Sequence, residues 1–283
     1  MAKIIDGKLV STKIKDAVKI KATEFEQKFG RKISLAVVLV GNNPASKVYV
    51  GNKVKACEYV GFNSIECLMD ENSTEEQVKE KVLELAFNPE IDGILVQLPL
   101  PNGIDKNTIL NLIPAEKDVD GFLAENVGSL LLGEECTISC TPYGVMKLLE
   151  HESIDLCGKN AVVVGRSNIV GKPMAALLLN ANCTVTVCHS KTKDIGAVCS
   201  QADILVAAVG IPKFVKGDMV KDGAVVIDVG INRVEGKLVG DVDFESVEKK
   251  ASFITPVPGG VGPMTIAMLM ENTCACAYRR AQK

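Results

Sequence analysis

The sequence predicts an α/β protein of two domains with parallel sheets. Short β-branched runs alternate with helix-length amphipathic stretches, and this alternation is typical of parallel strands joined by crossover helices. The length of 283 residues is enough for two domains that each bury a core. The strand-like runs are ISLAVVLVG (33–41), SIECLM (64–69), GILVQLPLP (93–101), AVVVG (161–165), CTVTVC (183–188), ADILVAAVG (202–210) and GAVVIDVGI (223–231).

The domain boundary is expected within the stretch 133–143, which glycine and cysteine residues punctuate. We therefore predict a three-layer α/β domain over residues 1–140 and a second domain with a parallel sheet over residues 141–262. A last helix (263–283), with Pro263 in its first turn, follows the final strand. We expect this helix to return to the first domain.

Composition narrows the classes of function. The net charge of -3, from 32 basic and 35 acidic residues, provides no broad positive field for nucleic acid or anionic membranes. The N-terminus lacks the apolar core of a signal peptide, and no run approaches the roughly 18 apolar residues that span a bilayer. We expect a cytoplasmic protein that binds neither nucleic acid nor membrane.

The ten cysteines lie mostly inside apolar strands and helices, and they are accompanied by only two histidines, His151 and His189. A zinc site requires paired cysteines or nearby histidines at ligand spacing. We therefore interpret the cysteines as small buried thiols and predict no metal site.

A glycine-containing segment, GRSNIVGKP, follows the strand-like run AVVVG. Gly165 permits a tight turn there, the amides of the next helix N-terminus suit a pyrophosphate, and Gly171 permits close approach of helix and strand. Ser167 stands where the usual fingerprint has its second glycine, so the match is partial. The pattern predicts a Rossmann-like second domain that binds a dinucleotide.

The end of the next strand indicates which dinucleotide is bound. A cofactor with a free ribose 2'-hydroxyl needs Asp or Glu at this point, whereas the sequence reads Cys-His-Ser-Lys at 188–191. Arg166 and Ser190, with Lys191 or His189, would suit a 2'-phosphate. This convergence favours NADP over NAD, although Arg166 and His189 taken singly also fit solvated surface residues.

Polar residues in the first half form a second candidate site. Asn43 and Pro44 predict the start of a helix in which Ser46, Tyr49 and Lys53 share one face. Gln97 is a lone amide near the carboxyl end of a strand, where open α/β sheets bind ligands. Both features also have a structural interpretation. Tyr49 and Lys53 would also fit a solvated helix face, and Gln97 would also fit a core amide whose hydrogen bonds are satisfied.

Six segments of the chain stand out: PASKVYVGNKVKAC, GILVQLPLP, KDVDGF, GRSNIVGKP, CHSKT and TPVPGGVGPMT. Taken together, they resemble signature segments of the bifunctional methylenetetrahydrofolate dehydrogenase/cyclohydrolase family. They occur in order over nearly the whole chain. The resemblance implies that NADP oxidises 5,10-methylenetetrahydrofolate to the 5,10-methenyl form, and that water opens this form to 10-formyltetrahydrofolate. It also implies folate and NADP domains and a homodimer.

The resemblance also implies roles for individual residues. Lys53 is the central catalytic group with Gln97 as its hydrogen-bonding partner, Tyr49 positions the folate, and Asp120 anchors the pterin. The remaining substrate-binding positions are Ser46, Leu98, Pro258, Gly259, Gly260, Val261 and Gly262. The cofactor-binding positions are Thr141, Gly165, Arg166, Ser167, His189, Ser190, Gly210, Ile231 and Thr265.

Three other functions remain open at this point. They are a monofunctional dehydrogenase, a module that senses NADP without turnover, and a different two-domain NADP oxidoreductase that acts on a small cyclic acid. The polar set Tyr49, Lys53, Gln97 and Asp120 argues against a sensing module. Folate binding separates the family from other oxidoreductases.

Overall fold

The computed structural model describes residues 1–282, except for the side chain at position 45. The strands are β1 (Lys3–Ile4), β2 (Ser34–Val40), β3 (Asn63–Met69), β4 (Gly93–Val96), β5 (Asn160–Val164), β6 (Thr184–Cys188), β7 (Ile204–Ala207), β8 (Val225–Asp228), β9 (Asn232–Val234), β10 (Lys237–Val239) and β11 (Phe253–Ile254). The helices are α1 (Gly7–Phe29), α2 (Pro44–Val60), α3 (Glu75–Phe87), α4 (Lys106–Leu110), α5 (Ala124–Leu132), α6 (Cys140–His151), α7 (Gly171–Asn180), α8 (Ile195–Cys199), α9 (Phe244–Val247) and α10 (Val261–Ala281).

The chain forms two compact units, each with its own parallel sheet. The first unit contains Thr12–Gly128, Cys136–Cys140 and the chain from Ile266 onward. The second contains Met1–Ser11, Ser129–Glu135 and Thr141–Thr265. The predicted fold class, two α/β domains with crossover helices, is confirmed. No helix within residues 1–282 is long and apolar enough to cross a membrane.

The sheet of the first unit has the strand order β3-β2-β4, and all its pairs are parallel. Every residue of the central strand β2 is buried, as the continuous apolar run predicts. One face of the sheet packs against α3, where Val38 and Val78 belong to the same core cluster. On the other side, Cys57 of α2 lies 3.9 Å from the sulfur of Met270 in α10. Helices therefore lie on both faces of the sheet, and the unit has three layers.

The C-terminal helix packs against α1 in the first unit, which confirms the predicted return. The Phe25 and Tyr278 rings meet edge to face with their centroids 5.2 Å apart. An ion pair of 2.8 Å between Lys21 and Glu271 lies on the same interface. The helix begins at Val261, two residues before Pro263, so that the proline occupies its first turn without removing a needed amide.

The sheet of the second unit has the strand order β1-β11-β8-β7-β5-β6, with all pairs parallel. Its central strands β5, β7 and β8 are almost wholly buried, and β6 forms one edge. Because parallel strands end on the same side, the loops after β6, β5, β7 and β8 lie side by side at one edge. That edge carries the predicted cofactor residues.

Candidate active site and cofactor-binding edge

Helix α2 presents the first group of predicted site residues. The Asn43 side chain accepts the backbone N–H of Ser46 at 3.2 Å, which caps the helix as the sequence predicts. Ser46 is buried, whereas Tyr49 is 44% exposed and its ring is open to a ligand. Lys53 follows one turn later on the face of Tyr49 and is partly buried.

The structure brings Lys53 and Gln97 together. The Lys53 ammonium Nζ donates a hydrogen bond of 2.8 Å to Gln97 Oε1. The Gln97 amide nitrogen Nε2 donates to the Leu98 carbonyl at 2.7 Å, and this bond turns the amide oxygen toward the lysine. Gln97 directly follows β4, and its backbone N–H extends the ladder to the Val38 carbonyl at 2.8 Å. A neutral amide therefore positions the lysine without a carboxylate's charge.

Burial shifts the pKa values of the ionisable groups in this site, and their mutual charges oppose part of the shift. Burial lowers the pKa of Lys53, and the nearby carboxylate of Asp120 opposes this shift. Burial also raises the pKa of Asp120 to about 6, against the opposing effect of Lys53. Lys53, Asp120 and Cys140 therefore lie within electrostatic reach of one another, and the lowered pKa of Lys53 favours the unprotonated amine, the form that can accept a proton.

The turn that carries Asp120 is shaped by Asp118, which shares the turn-forming sequence KDVDGF with Asp120. Asp118 is 3% exposed, and its carboxylate accepts the N–H groups of Gly121 and Leu123 at 3.0 Å each. It also accepts from the Asn126 side chain at 2.9 Å. The turn-forming pattern Asp-x-x-Gly (118–121) is the sequence signal for this function.

Cys140 is a second neighbour that sequence analysis does not identify. Its thiol donates to the Val119 carbonyl at 3.4 Å and accepts from the Asn272 side chain at 3.5 Å. Burial, with the nearby charge of Asp120, raises the pKa of this thiol well above its usual value. Cys140 is therefore a protonated, unreactive part of the site.

The glycine turn after β5 shows why the sequence needs glycines there. Gly165 has a φ of +125°, and a Cβ atom on it would lie 2.1 Å from the Ala208 carbonyl oxygen. A Cβ on Gly171 would lie 2.2 Å from the Gly165 carbonyl oxygen. Ser167 Oγ accepts the N–H groups of Val170 and Gly171 at 3.2 and 3.3 Å. The serine thus stabilises the turn in which the usual fingerprint has a glycine.

The turn after β6 presents polar groups that suit a phosphate. His189 is held in this turn because its backbone N–H donates to Thr192 Oγ1 at 2.9 Å and its Nδ1 accepts the Lys191 N–H at 3.2 Å. Ser190 is exposed, and so is Arg166 after the neighbouring strand β5. The next acidic residue along the chain, Asp194, caps α8 through the Ala197 N–H at 3.0 Å.

The other predicted cofactor residues also lie in the second unit. Gly210 follows β7 with a φ of +69°, and Ile231 follows β8 with 47% of its surface exposed. Together with Arg166 and Ser190, they follow four neighbouring strands at one sheet edge. The hydroxyls of Thr141 and Thr265 lie 3.0 Å apart, near the N-terminal ends of α6 and α10.

The predicted folate loop, Pro258–Gly262, belongs to the second unit, whereas the other predicted folate residues belong to the first. The loop packs tightly on the start of α1, since a Cβ on Gly7 would lie 1.8 Å from the Gly260 carbonyl oxygen. Gly259 has a φ of +109°, a conformation that favours glycine. Across residues 1–282, no group of three or more His, Cys, Asp or Glu side chains is arranged to hold a metal ion.

Comparison with models of protein families shows which family the chain matches. Residues 5–120 match the model of the tetrahydrofolate dehydrogenase/cyclohydrolase catalytic domain, and residues 139–281 match that of the NAD(P)-binding domain of the same enzymes. The chain belongs to the tetrahydrofolate dehydrogenase/cyclohydrolase family. The resemblance drawn from the six sequence segments is thereby confirmed.

Individual relatives match over their full length. The bifunctional protein FolD of Agathobacter rectalis is 56% identical over 281 residues, which cover 99% of this chain and 100% of that protein. The crystal structure of the bifunctional enzyme FolD from Campylobacter jejuni has a TM-score of 0.97 at 54% identity, covering 99% of this chain and 100% of that chain. The Trypanosoma brucei enzyme, complexed with NADP and an inhibitor, has a TM-score of 0.95 at 39% identity, covering 100% and 99% of the two chains.

Proposed function

We propose that the protein is a bifunctional enzyme of one-carbon metabolism. It oxidises 5,10-methylenetetrahydrofolate to 5,10-methenyltetrahydrofolate with NADP and hydrolyses the product to 10-formyltetrahydrofolate. The observation that carries this proposal is the hydrogen bond of 2.8 Å between Lys53 and the neutral amide of Gln97, with Asp120 nearby. Family membership and full-length similarity to FolD enzymes support it.

Lys53 serves the hydrolysis as a general base. The oxygen of water bonds to the methenyl carbon while a proton passes to the unprotonated form of Lys53, a form that burial favours by lowering the pKa of the amine. The bond from that carbon to N5 of the folate then breaks, one water proton ends on N5, and the other is released to solvent. Gln97 holds Nζ in position throughout, because its own amide is fixed by the Leu98 carbonyl.

Asp120 and Tyr49 bind the folate around this centre. A carboxylate accepts two N–H donors of a pterin in a planar pair, and an exposed tyrosine ring stacks on a flat conjugated ligand. The bonds of Asp118 to Gly121 and Leu123 fix the turn that aims Asp120. Asp118 thus acts through backbone geometry, and Asp120 acts on the ligand itself.

The residues of the second unit fit NADP. Gly165 and Gly171 allow the turn after β5 to pack closely against neighbouring backbone, and the helix N-terminus that follows this turn suits a pyrophosphate. Exposed Arg166 and Ser190 supply a cation and a hydroxyl for a 2'-phosphate, and Gly210 and Ile231 flank the same edge. When bound, NADP accepts the hydride from the one-carbon bridge of the folate.

The decisive experiment mixes purified protein with 5,10-methylenetetrahydrofolate and NADP and follows NADPH, methenyl and 10-formyl products together. We expect NADPH with little methenyl accumulation and formyl product formed faster than without enzyme. Methenyl accumulation instead identifies a monofunctional dehydrogenase. NADP binding without NADPH formation identifies a sensing module.

Cofactor preference is tested by Arg166→Ala. We expect the ratio of kcat/KM for NADP to that for NAD to fall by roughly 10-fold or more, because a charge-assisted bond to the 2'-phosphate is lost. Steady-state kinetics with both cofactors measure this ratio. An unchanged ratio in the folded variant would remove Arg166 from the proposed phosphate site.

Lys172→Ala is the control for this measurement. Lys172 is an exposed cation in the first turn of α7, and it follows the same glycine turn as Arg166. A cation at this helix N-terminus would act on the pyrophosphate, which NADP and NAD share. We therefore expect Lys172→Ala to change kcat/KM for both cofactors alike and to leave their ratio at the wild-type value.

The pH dependence of folate binding is tested at Asp120. Since the pKa of Asp120 is raised to about 6, its carboxylate is ionised above that pH and protonated below it. We expect the KM for 5,10-methylenetetrahydrofolate to rise as the pH falls through about 6, because the protonated carboxyl loses acceptor capacity. Asp120→Asn should show a high KM that no longer changes across this range. A wild-type KM that is constant between pH 5 and 7 contradicts the assignment.

We also propose that the enzyme is a cytoplasmic homodimer. The homodimer is what resemblance to the family implies. Sedimentation equilibrium of the purified protein measures the mass of the assembly directly.

A further inference from the structure

Two interlocked carboxylates, Asp228 and Asp241, lie at the cofactor edge of the second unit. Asp228 is the last residue of β8, and Asp241 follows the β9–β10 hairpin. Their exposed fractions are 4% and 0%. Buried carboxylates are costly unless hydrogen bonds satisfy them, so the partners of this pair indicate what it does.

Asp241 holds the loop that follows β7. One of its oxygens, Oδ2, accepts the backbone N–H groups of Val209 and Gly210 at 2.6 and 2.8 Å. The other oxygen, Oδ1, accepts from the Asn232 side chain at 2.9 Å. Two successive backbone N–H groups that converge on one anion form a compact nest. Asp241 therefore fixes the conformation of the loop at Gly210.

Asp228 ties this arrangement to the loop that follows β8. Its Oδ1 accepts the N–H groups of Gly230 and Asp241 at 2.9 Å each. Its Oδ2 accepts the Val242 N–H at 3.0 Å. One carboxylate thus holds the backbone of the other, and the loops after the adjacent strands β7 and β8 are linked.

Glycines make room for both carboxylates. A Cβ on Gly230 would lie 2.2 Å from Asp241 Oδ1, and a Cβ on Gly240 would lie 1.8 Å from Asp228 Oδ2. Neither contact is tolerable for a side chain. Glycine is therefore required at position 230 beside Asp241 and at position 240 beside Asp228.

We propose that Asp241 is a positioning residue for NADP binding. The inference rests on the proposed function, because Gly210 and Ile231, in the two linked loops, are its cofactor-contacting positions. With the pyrophosphate at the turn after β5 and the 2'-phosphate after β6, the other half of the dinucleotide extends toward β7 and β8. Asp241 holds that side of the binding edge in shape before the cofactor arrives, which lowers the ordering cost of binding.

The test compares Asp241→Ala and Asp241→Asn with Asp203→Ala. Asp203 is a matched control because it precedes β7 and accepts the Asn160 N–H at 2.9 Å, at the opposite end of the same strand. The Kd for NADP is measured by calorimetry without folate, and the hydrolysis of 5,10-methenyltetrahydrofolate is measured without NADP. Circular dichroism establishes the folding of each variant.

We expect Asp241→Ala to raise the Kd for NADP by about 10-fold, because two loop amides lose their acceptor. Methenyl hydrolysis should stay within about 2-fold of wild type, since it needs no NADP. Asp241→Asn should bind more tightly than Asp241→Ala, because its amide oxygen still accepts both N–H groups. Asp203→Ala should lose stability but keep the wild-type Kd.

Two outcomes overturn the proposal: a folded Asp241→Ala with the wild-type Kd, or an Asp241→Asn that binds no more tightly than the alanine variant. Should Asp241→Ala not fold, Asp241→Ser takes its place under the same criteria, because its short side chain does not reach the two amides. Failure of the proposed function is seen separately, since it requires that the wild-type enzyme itself does not bind NADP or oxidise the folate.

Discussion

Replacing Lys53 by methionine is expected to slow methenyl hydrolysis by about 10²- to 10⁴-fold, the usual contribution of a general base. Methionine keeps an unbranched apolar side chain that is one atom shorter, and it has no proton acceptor of comparable basicity. The bond to Gln97 Oε1 is lost with the ammonium, so the amide keeps only its bond to Leu98. Stopped-flow measurement of methenyl absorbance follows the reaction against the enzyme-free rate.

Lys55→Met is the matched control for this experiment. Lys55 lies on the same helix, two residues further on, and is exposed. We expect its hydrolysis rate to stay within about 2-fold of wild type, since surface substitutions of this kind have small effects. Wild-type hydrolysis by a folded Lys53→Met variant would show that another group accepts the proton.

The strands and helices that form the two cores were largely predictable from the sequence. The apolar runs at β2, β5, β7 and β8 are buried on both faces, and such continuous runs are the signal of a parallel sheet. The run GILVQLPLP predicts too long a strand, because β4 ends at Val96. Pro99 and Pro101 have no N–H to donate, so the ladder does not continue past Gln97.

Other elements have no local signal of sufficient strength. Strand β1 is only two residues long and exposed, and it is a strand only because Lys3 and Ile4 pair with β11, which lies near the other end of the chain. The β9–β10 hairpin consists mostly of exposed residues. Such elements depend on distant partners or on turns, which hydrophobic periodicity does not report.

The sequence predicts the reactive side chains of the site better than the groups that hold them. Tyr49 and Lys53 share a helix face by spacing alone, but their meeting with Gln97 depends on how α2 lies beside β4. Asp118, Cys140 and Asp241 have no role in the sequence-based site because each bonds to backbone groups, and such bonds have no periodic pattern in a sequence. The roles proposed for the reactive side chains are those that the family resemblance implies.

Replacing Gly165 by alanine is expected to reduce stability by about 2 to 5 kcal/mol, the sum of backbone strain and overpacking. The added Cβ would lie 2.1 Å from the Ala208 carbonyl oxygen, and the φ of +125° is unfavourable for any side chain. Because Gly165 ends β5 at the cofactor edge, displacement of this turn should also abolish measurable NADP binding. Urea unfolding and calorimetric titration with NADP measure the two effects.

Gly158→Ala separates backbone strain from the clash. Gly158 also has a positive φ, +73°, but a Cβ there would meet no atom within 4 Å. We expect a loss of only about 1 to 2 kcal/mol and an unchanged Kd for NADP, because Gly158 precedes β5 and lies at the opposite end of that strand from Gly165. Equal losses of stability in the two variants would mean that the Ala208 carbonyl moves aside freely. The approach of strand to turn would then not be the reason that the chain has glycine at position 165.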